Sequence, residues 1–538
     1  MLWLILAFSG GNVPDTHPIK ENKINGADIL LQVAREQGLD RCPVLYTQQE
    51  TVTYGDLDRR SCQYGQALRA LGIEAQDRVL LLVDDRPEMY YTYLGAMKIG
   101  AVPVALNLRI SAKELAFIIA DSDCTAIVID LDYFELCQSA CTGLKAAPIV
   151  VGSTGVMGDV KCLDALAASE SGNLTSVLLD PDAMALWMYT SGTTGTSKGA
   201  VHVLNSIKDV GRYLGPIYGV GPGDKIFCSS KLFFAFSLGH VFLAALRLGA
   251  AVILHTGWPS PEAIADVVER HCPDVMFSVP TMYRGLLSEG HAANSGFQSI
   301  RHFISAGEHL PTRVFDEWHA VTGVPILAGI GATETLMMFI ANYPETFHSG
   351  ATGTPLPGTD VRLQSDDGAV IDQAGIPGVL WVRSNSLAIG YWRQSDKTAA
   401  VFKNGWYCTG DVFVRDQDGQ YFYQARDDDM LKVSGQWVSP QEIDECVLQS
   451  PGVSEAATIG VENDQGLIRL MLCLITEDPD VDRQELQAEL TKRMTGNLSV
   501  YKCPRRFIYL DEMPKTATGK IQRFKLRQIA ADQTGQST

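Results

Sequence analysis

The chain is short of several things, and each shortage closes off a class of protein. No uninterrupted apolar run approaches the roughly 18 residues that a bilayer-crossing helix needs. The N-terminal "MLWLILAFSGG" holds an apolar run of only about eight residues, and it lacks the basic n-region of a signal peptide. It reads as a segment that packs on the body, or as the product of an upstream start codon, and the sequence argues against a membrane role. Positive charge is also scarce. Lys and Arg number 44 against 62 Asp and Glu, a formal net charge of −18. Such a surface repels phosphate backbones, so nucleic acid is not an expected partner. Anionic small molecules can still bind where dipoles and a few cations converge. Twelve cysteines are scattered with no CxxC pair, the nearest two being Cys137 and Cys141. Zinc sites and disulfide frameworks need tighter, repeated spacing, so reduced thiols in a cytoplasmic protein are expected. No short solenoid-type period is present.

What is there fits a large globular protein. With 538 residues the chain exceeds one core, and 46% hydrophobic against 20% charged residues is ordinary soluble composition. From Arg78, "RVLLLV", "AVPVAL" and "TAIVID" read as buried strands separated by helices at "PEMYYTYLGAMKIG" and Ser111–Ala120. Pro87 opens the first helix and Gly100 closes it. The rhythm returns after Asp224: "KIFCSS", a helix around His240–Gly249, "AAVILH", a helix at Pro261–His271, "DVMFSV". Continuous apolar strands alternating with helices predict parallel sheets covered on both faces. After Pro355 the apolar runs shorten between Gly, Asp and Pro, and "SDDGAVIDQAGIPGVLWVRS" reads as turn, strand, turn, strand. "QARDDDMLKVSG" reads as a hinge. About 110 residues beyond it suffice for a small α+β domain: helices at Pro440–Gln449 and Asp482–Gly496, strands at "EAATIGV", "RLMLCLIT" and "RFIYL". The expected fold class is therefore α/β. A large domain over 1–427 combines two related α/β subdomains with a β-rich one, and a small mobile α+β domain follows over 428–538.

Chemistry concentrates first in "YTSGTTGTSKGA", Tyr189–Ala200. Glycines let backbone N–H groups approach a phosphate, and Ser/Thr hydroxyls add donors. It is not a Walker loop, because Lys198 follows Ser197 rather than preceding a Ser or Thr. Alone, it reads equally as a flexible surface loop. A second candidate is "GIGATETLMMF", Gly329–Phe339, where the single carboxylate Glu334 stands among small and apolar neighbours. A buried acid needs a partner.

Together these stretches resemble the adenylate-forming superfamily of acyl-CoA synthetases, adenylation domains and luciferases. "SGTTGTSKG" looks like its phosphate loop and "SAGEHLP", Ser305–Pro311, like its adenine-side loop. "GATET", Gly331–Thr335, looks like its Thr-Glu motif and "WYCTGD", Trp406–Asp411, like its Thr-Gly-Asp motif. "ARDDDMLKVSG", Ala425–Gly435, resembles its hinge, and "PKTATGKIQR", Pro514–Arg523, its C-terminal lysine loop. The motifs keep their order from about Thr53 to Arg527, nearly the whole chain. "KLFFAFSLG", Lys231–Gly239, and "LKVSGQWVSPQEI", Leu431–Ile443, look most like benzoate-CoA ligases and their aryl relatives.

The resemblance implies two half-reactions. A carboxylic acid, aromatic and benzoate-like in this reading, attacks the α-phosphate of ATP to give acyl-AMP and pyrophosphate. Coenzyme A then displaces AMP. Positioning and electrostatics dominate such chemistry, with Mg²⁺ and cations at the phosphates. By the same resemblance Thr190, Ser191, Gly192, Thr193, Thr194, Gly195 and Lys198 would hold the β- and γ-phosphates. Thr333 would bond the α-phosphate, and Glu334 would bind the metal. Gly307, Glu308 and Ile330 would border the adenine, while Asp411 and Arg426 would reach the ribose. Lys520 would be the catalytic lysine, Asp428 the hinge, and Gly435 the lining of the thiol tunnel, where a missing side chain suits a pantetheine arm. Ala235, Phe236, Gly331, Met337 and Met338 would form the acid pocket.

The chain also departs from the pattern. Ile330 stands where many members have an aromatic, and Ala328 where an Asp is common. Phe236-Ser237 replaces the Tyr-Gly of benzoate-type ligases, and Met337 replaces a histidine. Both pocket changes remove a polar tip, which predicts a pocket less suited to a ring hydroxyl and better suited to an unsubstituted or alkyl-bearing acid. The alternatives are plain core at those positions, a medium-chain aliphatic acid, or loading of the acid onto the phosphopantetheine of a separate acyl carrier protein, since "AADQTGQST" shows no carrier domain. Luciferase-like oxygenation and a catalytically dead binding scaffold complete the field. The scaffold reading is opposed by intact Lys198, Glu334, Asp411, Arg426 and Lys520. Either a monomer or a homodimer is compatible with the sequence.

Overall fold

The computed structural model describes residues 23–144, 146–191, 197–433, 436–462, 468–515 and 521–534. Two large sheets dominate it. One has eight strands in the order Gly390–Tyr391, Ser197–Val203, Met184–Ser191, Val102–Ala105, Arg78–Leu82, Ala126–Ile129, Ile149–Gly152, Lys161–Cys162. Its strands run parallel from Met184–Ser191 outward, whereas the two at the other edge pair antiparallel. The second has nine strands, with Lys225–Cys228, Val275–Ser278, His302–Ser305 and Ile326–Gly331 parallel at its centre. Strand Ile326–Gly331 then turns back antiparallel into Met338–Ala341. The central strands are buried along their length, as the unbroken apolar runs predict for sheets covered on both faces.

Helix Pro87–Lys98 shows why the sequence folds this way. Pro87 sits in its first turn, where a missing N–H costs nothing. All of its residues but Glu88 are buried, so it is core rather than amphipathic surface. It crosses helix Tyr54–Ala70 where two glycines meet: a Cβ on Gly95 would stand 2.8 Å from the Gly65 nitrogen. At its end the buried Lys98 pairs with Asp58 at 2.7 Å, the partner that a buried ammonium requires.

Three features differ from the sequence expectation. The helix placed at His240–Gly249 begins earlier, as an α-turn at Ala235–Ser237, a π-helical turn at Leu238–Leu243 and an α-turn at Ala244–Leu248. In "SDDGAVIDQAGIPG" the first strand shrinks to a single bridge between Gln364 and Val370. The polar "QARDDDMLKVSG" is divided between strand Tyr421–Arg426, a 3₁₀ turn at Asp427–Asp429 that contains Asp428, and strand Leu431–Val433. Beyond it, helices Pro440–Leu448 and Arg483–Asn497 pack with strands Val453–Glu462, Ile468–Thr476 and Arg506–Tyr509 around Ile443, Leu472 and Leu490. A helix at Arg523–Thr534 closes this part. Polar contacts tie it to the body: His309 with Glu445 at 2.6 Å, and the ion pairs Arg284 with Glu455 at 3.1 Å and Arg313 with Glu477 at 3.1 Å. Among the described residues no helix is long and apolar enough to cross a membrane.

Candidate active site

The seam between the two large sheets collects the motif residues. Thr190 and Lys198 face each other across antiparallel strands Met184–Ser191 and Ser197–Val203. The two strands that flank the glycine-rich segment are thus antiparallel neighbours, not the strand and helix that flank a Walker loop. Gly192, Thr193, Thr194 and Gly195 lie outside the described residues, as do Gly435 and Lys520. Ser191 ends its strand.

From the second sheet come two neighbouring loops. Ser305 and Ala328 are partners on parallel strands, so the chain beyond each emerges at the same carboxyl edge, where α/β sheets place their ligands. Gly307 takes φ +90° in the first loop. Beside it Glu308 accepts from the Thr281 hydroxyl at 2.7 Å. The second strand ends with Ile330, packed half-buried against the β-rich core, and Gly331, and the turn after it carries Thr333 and Glu334.

Glu334 is 5% exposed and well partnered. The Tyr391 hydroxyl donates to Oε1 at 2.5 Å. Lys198 Nζ lies 3.7 Å from the same oxygen and donates to the Tyr391 hydroxyl at 2.8 Å. Tyr391 reaches this point because strand Gly390–Tyr391 pairs with Ser197–Val203, setting Tyr391 opposite Ala200. Burial first, and then the Glu334 carboxylate, push the hydroxyls of Tyr391 and Tyr407 far up; both remain protonated donors. Lys198 is pulled below the usual lysine range, chiefly by desolvation, with Lys397 and Arg426 adding positive charge nearby and Glu334 opposing them. Lys198 is thus the cation that faces the Glu334 carboxylate, and Lys397 and Arg426 add positive charge around Lys198.

The backbone of this loop is held from behind. His202 is fully buried, and its Nε2 lies 2.9 Å from the Thr333 carbonyl oxygen. A carbonyl only accepts, so Nε2 carries the proton. Desolvation pushes this histidine down to about 4, which keeps the ring neutral. The Ala388 amide donates to the Glu334 carbonyl at 2.7 Å, and the Ser386 hydroxyl to the Thr335 carbonyl at 2.7 Å. Nearby, Asp411 and Arg426 are cross-strand partners joined at 3.1 Å. Arg426 also donates to the Thr409 carbonyl at 2.8 Å.

The expected pocket residues come together on the other side of the loop. Ala235 and Phe236 open the pocket helix, and Met337 and Met338 are buried at 5% and 1% exposure. Gly331 pairs with Met338. Phe236 lies edge-on to Phe277 at 5.7 Å. Four supporting residues escaped the sequence reading: Tyr391, His202, His240 and Lys231. Lys231 is the first residue of "KLFFAFSLG". It is 2% exposed, pairs with Asp84 at 2.5 Å and Asp85 at 3.2 Å, and donates to the His255 carbonyl at 2.8 Å. Asp84 and Asp85 follow strand Arg78–Leu82, so this cluster pins the pocket segment to the first sheet. Burial beside the Asp84 charge pushes Asp85 up to about 6, against the pull of Lys231.

Among the described residues no three His, Cys, Asp or Glu side chains form a cluster able to hold a metal ion. A lone carboxylate beside cations suits Mg²⁺ that arrives on phosphates and keeps its waters, rather than a resident ion in a protein cage.

Comparison with known proteins agrees with this geometry. The family model described as AMP-binding enzyme matches residues 31–392, and that of the AMP-binding enzyme C-terminal domain matches 442–520. The chain is 41% identical over 506 residues to the 3-hydroxybenzoate–CoA ligase of Aromatoleum sp. (strain CIB), covering 94% of this chain and 97% of the relative. It is 36% identical to the benzoate–CoA ligase of Thauera aromatica, covering 96% and 98%. Among solved structures, an anthranilate CoA ligase in complex with anthranoyl-AMP superposes with a TM-score of 0.88 at 30% identity, covering 95% and 98% of the two chains. With Lys198 set beside a buried Glu334 and matches spanning both parts of the chain, the protein belongs to the AMP-binding enzyme family.

Proposed function

We propose that the protein is an ATP-dependent, AMP-forming ligase that joins an aromatic, benzoate-type carboxylic acid to coenzyme A through an acyl-adenylate. The observation that carries the reading is the Glu334 centre, where Lys198 stands 3.7 Å from a buried carboxylate and Lys397 and Arg426 add positive charge around Lys198. Such a centre favours a polyphosphate with its Mg²⁺, whose chemistry is to neutralise and orient the α-phosphate and the departing pyrophosphate. Lys198 and the hydroxyls of Thr190 and Ser191 serve the outer phosphates. Thr333 bonds the α-phosphate, Glu334 meets the metal, and Asp411 with Arg426 orients the ribose. Gly307, Glu308 and Ile330 border the base. Lys520 bridges the acid and the α-phosphate in the first step. In the second, the part beyond Asp428 turns so that Gly435 lines the thiol path. Ala235, Phe236, Gly331, Met337 and Met338 receive the acid. The benzoate- and hydroxybenzoate-directed names of the relatives support an aromatic substrate.

The test is ATP–pyrophosphate exchange over benzoate, 3-hydroxybenzoate, phenylpropenoates, cyclohexanecarboxylate and straight-chain acids, followed by AMP release on adding free coenzyme A. Exchange with the benzoates and AMP release with coenzyme A are expected. Exchange confined to straight-chain acids overturns the aromatic reading. Exchange without AMP release on free coenzyme A points to a carrier-protein acceptor instead.

A further inference from the structure

Two unusual backbone features meet at the wall between Phe236 and Met338. The pocket helix contains a π-helical turn, Leu238–Leu243, a form that is rare and concentrated at functional sites. Against it lies Leu336, a non-glycine residue at φ +62°. The two are jammed together: a Cβ on Gly239 would stand 2.0 Å from the Leu336 carbonyl oxygen, so only glycine admits this approach. Strained or rare backbone of this kind persists only where its surroundings over-determine it.

His240 is what over-determines it. The ring is 1% exposed and stands in an aromatic wall, 5.3 Å from both Phe236 and Phe277. Nδ1 lies 2.8 Å from the Phe236 carbonyl oxygen, which can only accept, so Nδ1 carries the proton. Nε2 is then the acceptor. It receives the Tyr213 hydroxyl at 2.5 Å and the Met338 amide at 3.4 Å. One side chain therefore bonds the backbone of the pocket helix through one nitrogen and that of the facing strand through the other.

We infer that His240 is a positioning residue of the acid site: by holding the Phe236 carbonyl and the Met338 amide at a fixed separation, it sets the width open to the ring of the acid. The inference rests on the aromatic-acid reading above and deepens it. The imidazole touches no reacting atom. Its effect belongs to the acid alone, because the nucleotide half of the loop is braced separately by His202 and Tyr391.

The experiment is pyrophosphate exchange by the full chain, with KM for acid and for ATP measured on benzoate, 3-methylbenzoate and the wider 2-naphthoate. Losing the ring's three hydrogen bonds in His240→Leu should raise the acid KM about tenfold or more and narrow the gap between benzoate and 2-naphthoate. The ATP KM should stay within about twofold, since none of its contacts is removed. His240→Gln, which can still offer one donor and one acceptor, should recover most of the loss. Should His240→Leu not fold, the same split is read on Tyr213→Phe, which removes only the hydroxyl on Nε2 and should raise the acid KM about threefold. Equal rises in both KM values, or an unchanged preference between narrow and wide rings, overturn the inference. If the parent enzyme exchanges only with non-aromatic acids, the aromatic reading fails on its own, and the KM split is measured with an acid that works.

Discussion

The stretch Gly329–Phe339 has two halves that solve opposite problems. The first, ending at Thr335, must present a charge, and it is surrounded by Lys198, Tyr391 and the backbone donor of Ala388. The second, Leu336–Met338, must present apolar surface, and its polar support stands behind it in His240 and Tyr213. Each half leans on one buried neutral histidine, and the two are opposite tautomers. His202 donates from Nε2 to a carbonyl, whereas His240 accepts at Nε2 from an amide. On the function proposed above, one loop would thus separate chemistry shared by every acid from recognition of a particular acid. The separation can be attacked from either side.

The harshest attack is Glu334→Gln. It removes the buried charge and leaves Lys198 without its counter-ion. Exchange should fall by about 100-fold or more with every acid, the scale of losing a preorganised electrostatic group. The ranking of acids should not change. A variant that loses one ring type and keeps another would mean that the two halves are not separate.

From the acid side, Met337→His restores a polar tip beside the Phe236 wall. Exchange with 3-hydroxybenzoate relative to benzoate should rise about tenfold, the worth of one good hydrogen bond. The ATP KM should hold. A loss on both acids alike would place Met337 in plain core. Smaller again is Tyr391→Phe, which deletes the hydroxyl between Lys198 and Glu334. A rise of about fivefold in the KM for MgATP, with no change in acid KM, is expected from one lost charged hydrogen bond that Lys198 can partly replace. An altered acid preference in this variant would tie Tyr391 to the wrong half.

These partners also mark how far the sequence could be read. The parallel sheets were legible because their strands are unbroken apolar runs, and the candidate nucleotide residues could be named because Gly, Thr and Lys cluster in order. Glu334 could be recognised as a buried acid in need of partners. Its partner Tyr391 could not, because it stands 57 residues away on a two-residue strand that no periodicity announces. His202 and His240 each look like a lone histidine on an apolar element, which ordinarily means core. Only the register of strands and the π-turn turn them toward a backbone atom. The expectation of a wall poor in polar tips was drawn from Phe236 and Met337 alone. It missed that His240 lies one layer behind, reachable from sequence only through the odd spacing of a π-helical turn. Lys231 was quoted as part of a motif, yet its burial against Asp84 and Asp85 is a property of two sheets meeting.

The last comparison lies in stability, outside the ranking of catalytic effects, and sets the two histidines side by side. Burial pushes both from the ordinary 6.5 down to about 4. As the pH falls, the unfolded chain takes up protons near 6.5 while the folded rings refuse them until about 4. The unfolded state thus binds more protons across this window, and stability falls with pH there. The contribution of each ring is fully present above 6.5 and is lost between 6.5 and 4, at about 1 kcal/mol per pH unit. Urea midpoints at pH 7.5, 6.0 and 5.0 measure the slope. His202→Gln and His240→Gln should each flatten the acid limb by a similar amount, because each removes one proton of difference between folded and unfolded chains. The catalytic consequences of the leucine variants should nevertheless diverge, toward ATP for His202→Leu and toward the acid for His240→Leu. Equal slopes in parent and variants would mean that the rings are not held neutral, and the tautomers inferred from their partners would fall with them.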